Sequence, residues 1–117
     1  MYLFKLDSGP VRNEVRAIKK LCNGTHPNIV QVFAIGELPD SSHVFIDMAL
    51  CHYNLKESCK SNWHYGAVHD YPPELVADRF WRIIQQIAGG LVFIHSNDEV
   101  HRDIKPQNGS ELFACGN

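Results

Sequence analysis

Net charge is nearly absent from this chain. Its 117 residues carry 11 Lys and Arg against 13 Asp and Glu, a formal balance of −2. Without an excess of either sign, electrostatics gives no reason to expect a nucleic acid or an anionic membrane as partner. Long apolar runs are also missing, so no segment is expected to span a bilayer. The opening Met1-Tyr2-Leu3-Phe4-Lys5 holds too short an apolar stretch for a secretory signal. The four cysteines, Cys22, Cys51, Cys59 and Cys115, include no C-x-x-C pair. Cys51-His52 with Cys59 lacks the second ligand pair that zinc would call for, so scattered reduced thiols are the expectation. The absent signal and unpaired cysteines together predict an intracellular, reducing setting, cytoplasmic or nuclear. No repeat or low-complexity tract is visible. What is present, 44% hydrophobic and 21% charged residues, suits one small globular domain.

The first strong pattern begins at Gly9-Pro10. Proline suits a first helical position, and Val11, Val15, Ile18 and Cys22 then recur at helical spacing. Arg12, Arg16, Lys19 and Lys20 form a basic outer face, and Asn23-Gly24 stops the helix. Glu14 falls at the edge of the apolar stripe, and spacing alone favours a boundary glutamate reaching to water. After the turn His26-Pro27-Asn28, the β-branched run Ile29–Ile35 reads as a strand. A second strand, His43–Met48, follows the turn at Leu38–Ser42, and the two should pair as an antiparallel hairpin. Asn54 is a plausible N-cap for a short helix reaching Lys60. The stretch from Ser61 to Pro73, with Trp63, His64, Tyr65, His69 and Tyr71, reads as a surface insertion rather than a ligand site. A long helix then runs from about Pro73 to about His95, with Val76, Phe80, Ile83, Ile84, Ile87, Leu91 and Ile94 on one face. Gly89-Gly90 interrupts that face, through close approach of another backbone or through a bend.

Beyond that helix stands His101-Arg102-Asp103-Ile104-Lys105-Pro106-Gln107-Asn108. This segment resembles the H-R-D-x-x-x-x-N catalytic loop of protein kinases. Lys105, two residues after the aspartate, is similar to the serine/threonine class. Upstream features agree. Glu14–Leu21 followed by His26-Pro27-Asn28-Ile29-Val30 looks like the family's αC helix and the strand after it. The hairpin ending at Met48 looks like the family's fourth and fifth strands, and Phe80–His95 is similar to its αE helix. The resemblance covers residues 10–108 and leaves 1–9 and 109–117 as divergent ends. It implies an α+β, incomplete bilobal kinase-like fold: αC, hairpin, hinge, αD, long αE and catalytic loop.

By that resemblance, Asp103 accepts the substrate hydroxyl's proton, Lys105 neutralises charge on the transferring phosphate, and Asn108 offers an amide oxygen to magnesium. Arg102 resembles the arginine that pairs with a phosphorylated activation loop. His101, Ile18 and Val32 look like members of an apolar stack between lobes. Glu14 gains a role, pairing with a lysine that holds the ATP phosphates. Met48 falls at the gatekeeper position, and Ala49, Leu50 and Cys51 at the adenine-binding hinge. ATP and magnesium are the implied cofactors and a protein the implied substrate; oligomeric state is left open.

Other family marks are not found in the sequence. There is no G-x-G-x-x-G, no V-A-I-K lysine and no D-F-G; Lys5 stands close to Pro10 without an evident strand. Gly109-Ser110 does not resemble the apolar strand expected after the asparagine. The expectation is therefore a piece of a serine/threonine kinase, inactive as this isolated chain. The alternative is a non-catalytic binding or decoy module, and a chance H-R-D in an unrelated helical protein ranks last.

Overall fold

A computed structural model describes residues 2–5, 9–51, 53–60 and 72–111, with the backbone alone at 2–5, 59–60 and 111. The aromatic and histidine-rich stretch at 61–71, together with His52 and Cys115, lies outside the described residues. The chain divides into two compact units, one of residues 1–49 and 92–99, the other of residues 50–91 and 100–117. Helices and an antiparallel sheet in the first, and helices with a short strand pair in the second, make the class α+β.

The first unit is built on a three-stranded sheet of β1 (Tyr2–Lys5), β2 (Val32–Glu37) and β3 (His43–Met48), in the order β1-β3-β2. Both pairings are antiparallel, so the expected hairpin forms. Along β3 the side chains alternate: Val44 and Ile46 are each 3% exposed, and Asp47 between Ile46 and Met48 faces water. That alternation is what one covered sheet face requires. β2 starts later than its β-branched run suggests. The Ile29 N–H turns back to the His26 carbonyl, and the Val32 N–H goes to Cys22 O at 2.8 Å, so pairing begins only there. Gly36 lies opposite Phe45. A Cβ at Gly36 would stand 2.6 Å from the Phe45 ring, so the glycine leaves room for that ring to cross β2.

Helix α1 (Gly9–Leu21) carries Pro10 near its start and Lys19 and Lys20 in its last turn, where cations suit the helix dipole. It packs lightly: Leu21 is its one buried side chain, and Val11, Val15 and Ile18 are half-buried. An open groove between α1 and β2 is lined by Ile18, Cys22, Val32 and Phe33. Partial burial there pushes the Cys22 thiol above its ordinary pKa.

The second unit holds β4 (Tyr53–Asn54), α2 (Leu55–Lys60), most of α3 (Pro73–Ser96) and β5 (Ser110–Glu111). Asn54 caps α2 as its sequence suggests. Its Oδ1 accepts the Glu57 N–H at 2.9 Å, and Glu57 Oε2 accepts the Asn54 N–H at 3.1 Å, a reciprocal capping box. α3 continues through Gly89-Gly90 as one 24-residue helix, so the glycine pair does not interrupt the helix itself. β5 forms where the sequence shows no strand pattern. Ser110-Glu111 pairs with Asn54 and Tyr53. Main-chain hydrogen bonds make this ladder, and they do not depend on side-chain polarity.

Candidate active site

The segment after α3 is shaped by three local devices. Arg102 has φ 65, a left-handed conformation that costs a non-glycine residue roughly 1–2 kcal/mol. The bend it makes lets the Asp103 N–H reach His101 Nδ1 at 3.2 Å. Pro106 then opens a single turn of 3-10 helix, Pro106–Asn108, closed by the Asn108 N–H on Lys105 O at 2.9 Å.

These devices bring two side chains onto one carboxylate. Lys105 Nζ lies 3.0 Å from Asp103 Oδ2. Asn108 Nδ2 donates to the same Oδ2 and to Asp103 O, each at 2.9 Å. The Lys105 and Asn108 hydrogen bonds hold the Asp103 carboxyl below its ordinary range, although the group is open to solvent. With its amide nitrogen committed to Asp103, Asn108 has its amide oxygen free of that contact. The arrangement is an anchored carboxylate with a mobile cation beside it and one neutral oxygen donor. It can orient a hydroxyl, meet negative charge and contribute one ligand to a hard cation. Magnesium asks for about six oxygens in near-octahedral order, and Asp103 and Asn108 supply a minority of them.

Other candidate residues stand elsewhere. In the first unit, Glu14 is exposed on α1, while Ile18 and Val32 are half-buried and share the α1–β2 groove. Met48 ends β3 opposite Val32, and the Ala49 N–H donates to Gln31 O at 2.9 Å. The boundary between the units falls after Ala49, so Leu50 and Cys51 open the second unit; Leu50 is 83% exposed. His101 and Arg102 are exposed within the loop.

Sequence reasoning passed over one residue. Lys5 stands close to Pro10 with no strand evident in the sequence, yet it ends β1, opposite His43 of β3. The missed signal was an apolar triplet, Tyr2-Leu3-Phe4, leading into a lysine. Four residues are too few to show strand alternation.

Comparison with known proteins adds an independent line. The family model for the protein kinase domain matches residues 5–109. The chain is 29% identical over 105 residues to the serine/threonine-protein kinase TOS3 of Saccharomyces cerevisiae, covering 89% of this chain and 18% of that protein. It is 34% identical over 96 residues to the serine/threonine protein kinase OSK3 of Oryza sativa, covering 80% of this chain and 16% of that one. With the serine/threonine-protein kinase GRIK2 of Arabidopsis thaliana it shares 30% identity over 99 residues, 84% of this chain and 21% of that one. The chain thus spans about a fifth of the length of these relatives.

Proposed function

This chain belongs to the protein kinase domain family, and from that premise we propose that it is a segment of a serine/threonine kinase shaped to pass the terminal phosphate of ATP to a protein hydroxyl. The observation that carries the reading is the convergence of Lys105 and Asn108 on Asp103 Oδ2. Asp103 orients the substrate hydroxyl and receives its proton. Its depressed pKa suits that task, because a loose phosphoryl-transfer transition state asks for placement more than for a strong base. Lys105 meets charge on the moving phosphate as a point charge on a flexible stem. Asn108, its nitrogen held by Asp103, presents its oxygen to magnesium. ATP and magnesium supply the phosphoryl group and its charge neutralisation when bound.

The surrounding elements take family roles on the same reading. α1 is the αC helix carrying Glu14, β2 and β3 are the hairpin before the hinge, α2 is αD and α3 is αE. Met48 is the gatekeeper, and Ala49, Leu50 and Cys51 bind adenine through their main chain. Ile18, Val32 and His101 belong to the apolar stack, and Arg102 awaits a phosphorylated loop. Lys5, on the strand beside β3 and nine residues before Glu14, is the lysine that anchors the ATP phosphates. The partner is a protein substrate in the cytoplasm or nucleus, and residues 10–108, with Lys5 ahead of them, form the kinase core of the chain. Among the described residues no helix is long and apolar enough to cross a membrane.

The 117-residue polypeptide contains no G-x-G-x-x-G and no D-F-G, so it lacks a phosphate cover and a main carboxylate for magnesium. For these 117 residues taken alone, a second reading is a non-catalytic kinase-like binding or decoy module. Incubation of the isolated chain with magnesium and γ-labelled ATP is expected to give no phosphotransfer. Transfer that disappears in Asp103→Asn would overturn the view that those segments are needed. A longer product of the same gene, offered serine-, threonine- and tyrosine-containing peptides, should label serine or threonine. Failure of every such product to label any peptide would favour the binding module.

A further inference from the structure

Outside the loop, one half-buried carboxylate gathers two cations from another element of its own unit. Glu99, in the turn after α3, has a side chain only 15% exposed, and its Oε1 lies 3.0 Å from Arg16 Nη1 and 3.6 Å from Lys20 Nζ. Lys20 also donates to the main-chain oxygen of Asn97. Arg16 and Lys20 are four residues apart on α1 and therefore share one helix face. The turn that receives them is itself fixed. Asn97 Nδ2 and Ser96 Oγ both donate to Phe93 O, at 2.8 and 2.9 Å, and the Glu99 N–H donates to Ile94 O at 3.2 Å. The His26 ring, in the turn after α1, stacks on Phe93 with centroids 4.8 Å apart.

These contacts matter because, among the described residues, α1 is otherwise tied mainly at its C-terminal end, where the Val32 N–H reaches Cys22 O. Its apolar stripe is half-covered, with Leu21 alone buried. Exposed ion pairs contribute about 0–1 kcal/mol; here the Arg16 and Lys20 side chains are 61% and 39% exposed, but the carboxylate they share is more withdrawn from water, which strengthens the attraction. Glu99 is that carboxylate, and its two partners approach from one helix face. Glu14 lies two residues before Arg16 on the same rigid helix, so whatever fixes Arg16 and Lys20 also fixes the direction in which Glu14 faces.

We propose that Glu99 is a positioning residue for Glu14. By holding Arg16 and Lys20 it sets the placement of α1, and it touches neither nucleotide nor substrate. The inference rests on the reading above, in which Glu14 supports the nucleotide-anchoring lysine.

Two measurements on the full chain test it. The first is amide hydrogen exchange in the isosteric variant Glu99→Gln, with Arg16→Gln as a second route to the same break. Exchange in Val11–Leu21 should rise about tenfold while the β2–β3 hairpin stays as protected as before. The charge swap Arg16→Glu with Glu99→Arg should restore protection. Unchanged exchange, or a rise spread evenly over the unit, overturns the proposal. The second is the affinity for a fluorescent ADP analogue with magnesium in Glu99→Gln, Glu14→Gln and the double variant. A positioning role through Glu14 predicts that Glu99→Gln weakens binding but adds nothing once Glu14 is gone. Additive losses overturn it, since a merely structural residue would give those. If the unaltered chain binds no analogue while α1 exchange still responds, the nucleotide reading of Glu14 fails, and the positioning role falls with it.

Discussion

Asp103 shows how much chemistry a few neighbouring residues can set. Its partners stand two and five positions along the chain, so the spacing was readable in the sequence before any fold was known. What could not be read was that both donors meet on one oxygen, or that Arg102 takes a left-handed turn to allow it. The Asp103 carboxyl titrates below its ordinary value of 3.8, first because of the Lys105 hydrogen bond and then because of Asn108. A pKa lowered by folding means the stabilisation is fully present above the unfolded value. It is lost as pH falls through the lower, folded value. Carbon NMR of the Asp103 carboxyl should therefore give a midpoint below that of a peptide spanning residues 101–108. Lys105→Ala should raise the midpoint more than Asn108→Ala. Equal midpoints in chain and peptide would mean that the folded loop does not hold these contacts. Glu99 lies at the opposite extreme of legibility. Its partner Arg16 is 83 residues away, a separation at which no spacing rule operates.

Among the elements, helices were the most legible, because Pro10, Asn54 and Pro73 mark their starts and apolar periodicity runs through them. Short strands were the least. β1 and β5 have too few residues to show alternation, and the pairing of β5 with β4 rests on main-chain groups common to every sequence. Gly109 shows what such a pairing requires of its neighbours. It is extended, with φ −90, so its need for glycine is spatial. A Cβ there would stand 2.6 Å from Leu55 Cδ1 and 3.2 Å from Cγ, while the Leu55 N–H donates to Gly109 O at 2.8 Å. Leu55 cannot withdraw its backbone without losing that bond. Gly109→Ala should cost about 1–3 kcal/mol, the usual penalty of overpacking, as read by urea unfolding. Adding Leu55→Ala should recover part of the loss. An alanine as stable as the glycine would show that Leu55 moves aside freely.

For the molecule as a whole, the exposed apolar residues of α3 have a consequence in solution. Phe80, Trp81, Ile84 and Ile87 are between 38% and 63% exposed along the helix. Apolar area left in water contributes about 25 cal/mol per Å² to any association that covers it. The isolated chain should therefore self-associate with rising concentration in sedimentation velocity. Trp81→Glu with Ile84→Glu should weaken that association about tenfold or more and leave the helical circular dichroism unchanged. Concentration-independent sedimentation would mean that this face carries no such driving force. By the kinase resemblance, partial exposure is expected at Val76, Phe80, Ile83 and Ile87, because segments that would cover that face are not in the chain; Phe80 and Ile87 are exposed, and Val76 and Ile83 are half-buried.

The loop from His101 to Asn108 bears the functional reading, and Asp103 is its decisive atom group. The most direct measurement is phosphotransfer from γ-labelled magnesium-ATP by the longest product of the gene that contains these residues, with and without Asp103→Asn. Labelling of a serine or threonine peptide is expected to fall about 100-fold or more in the variant, the scale of a lost proton-accepting group. Equal labelling by both proteins would contradict the role given to Asp103.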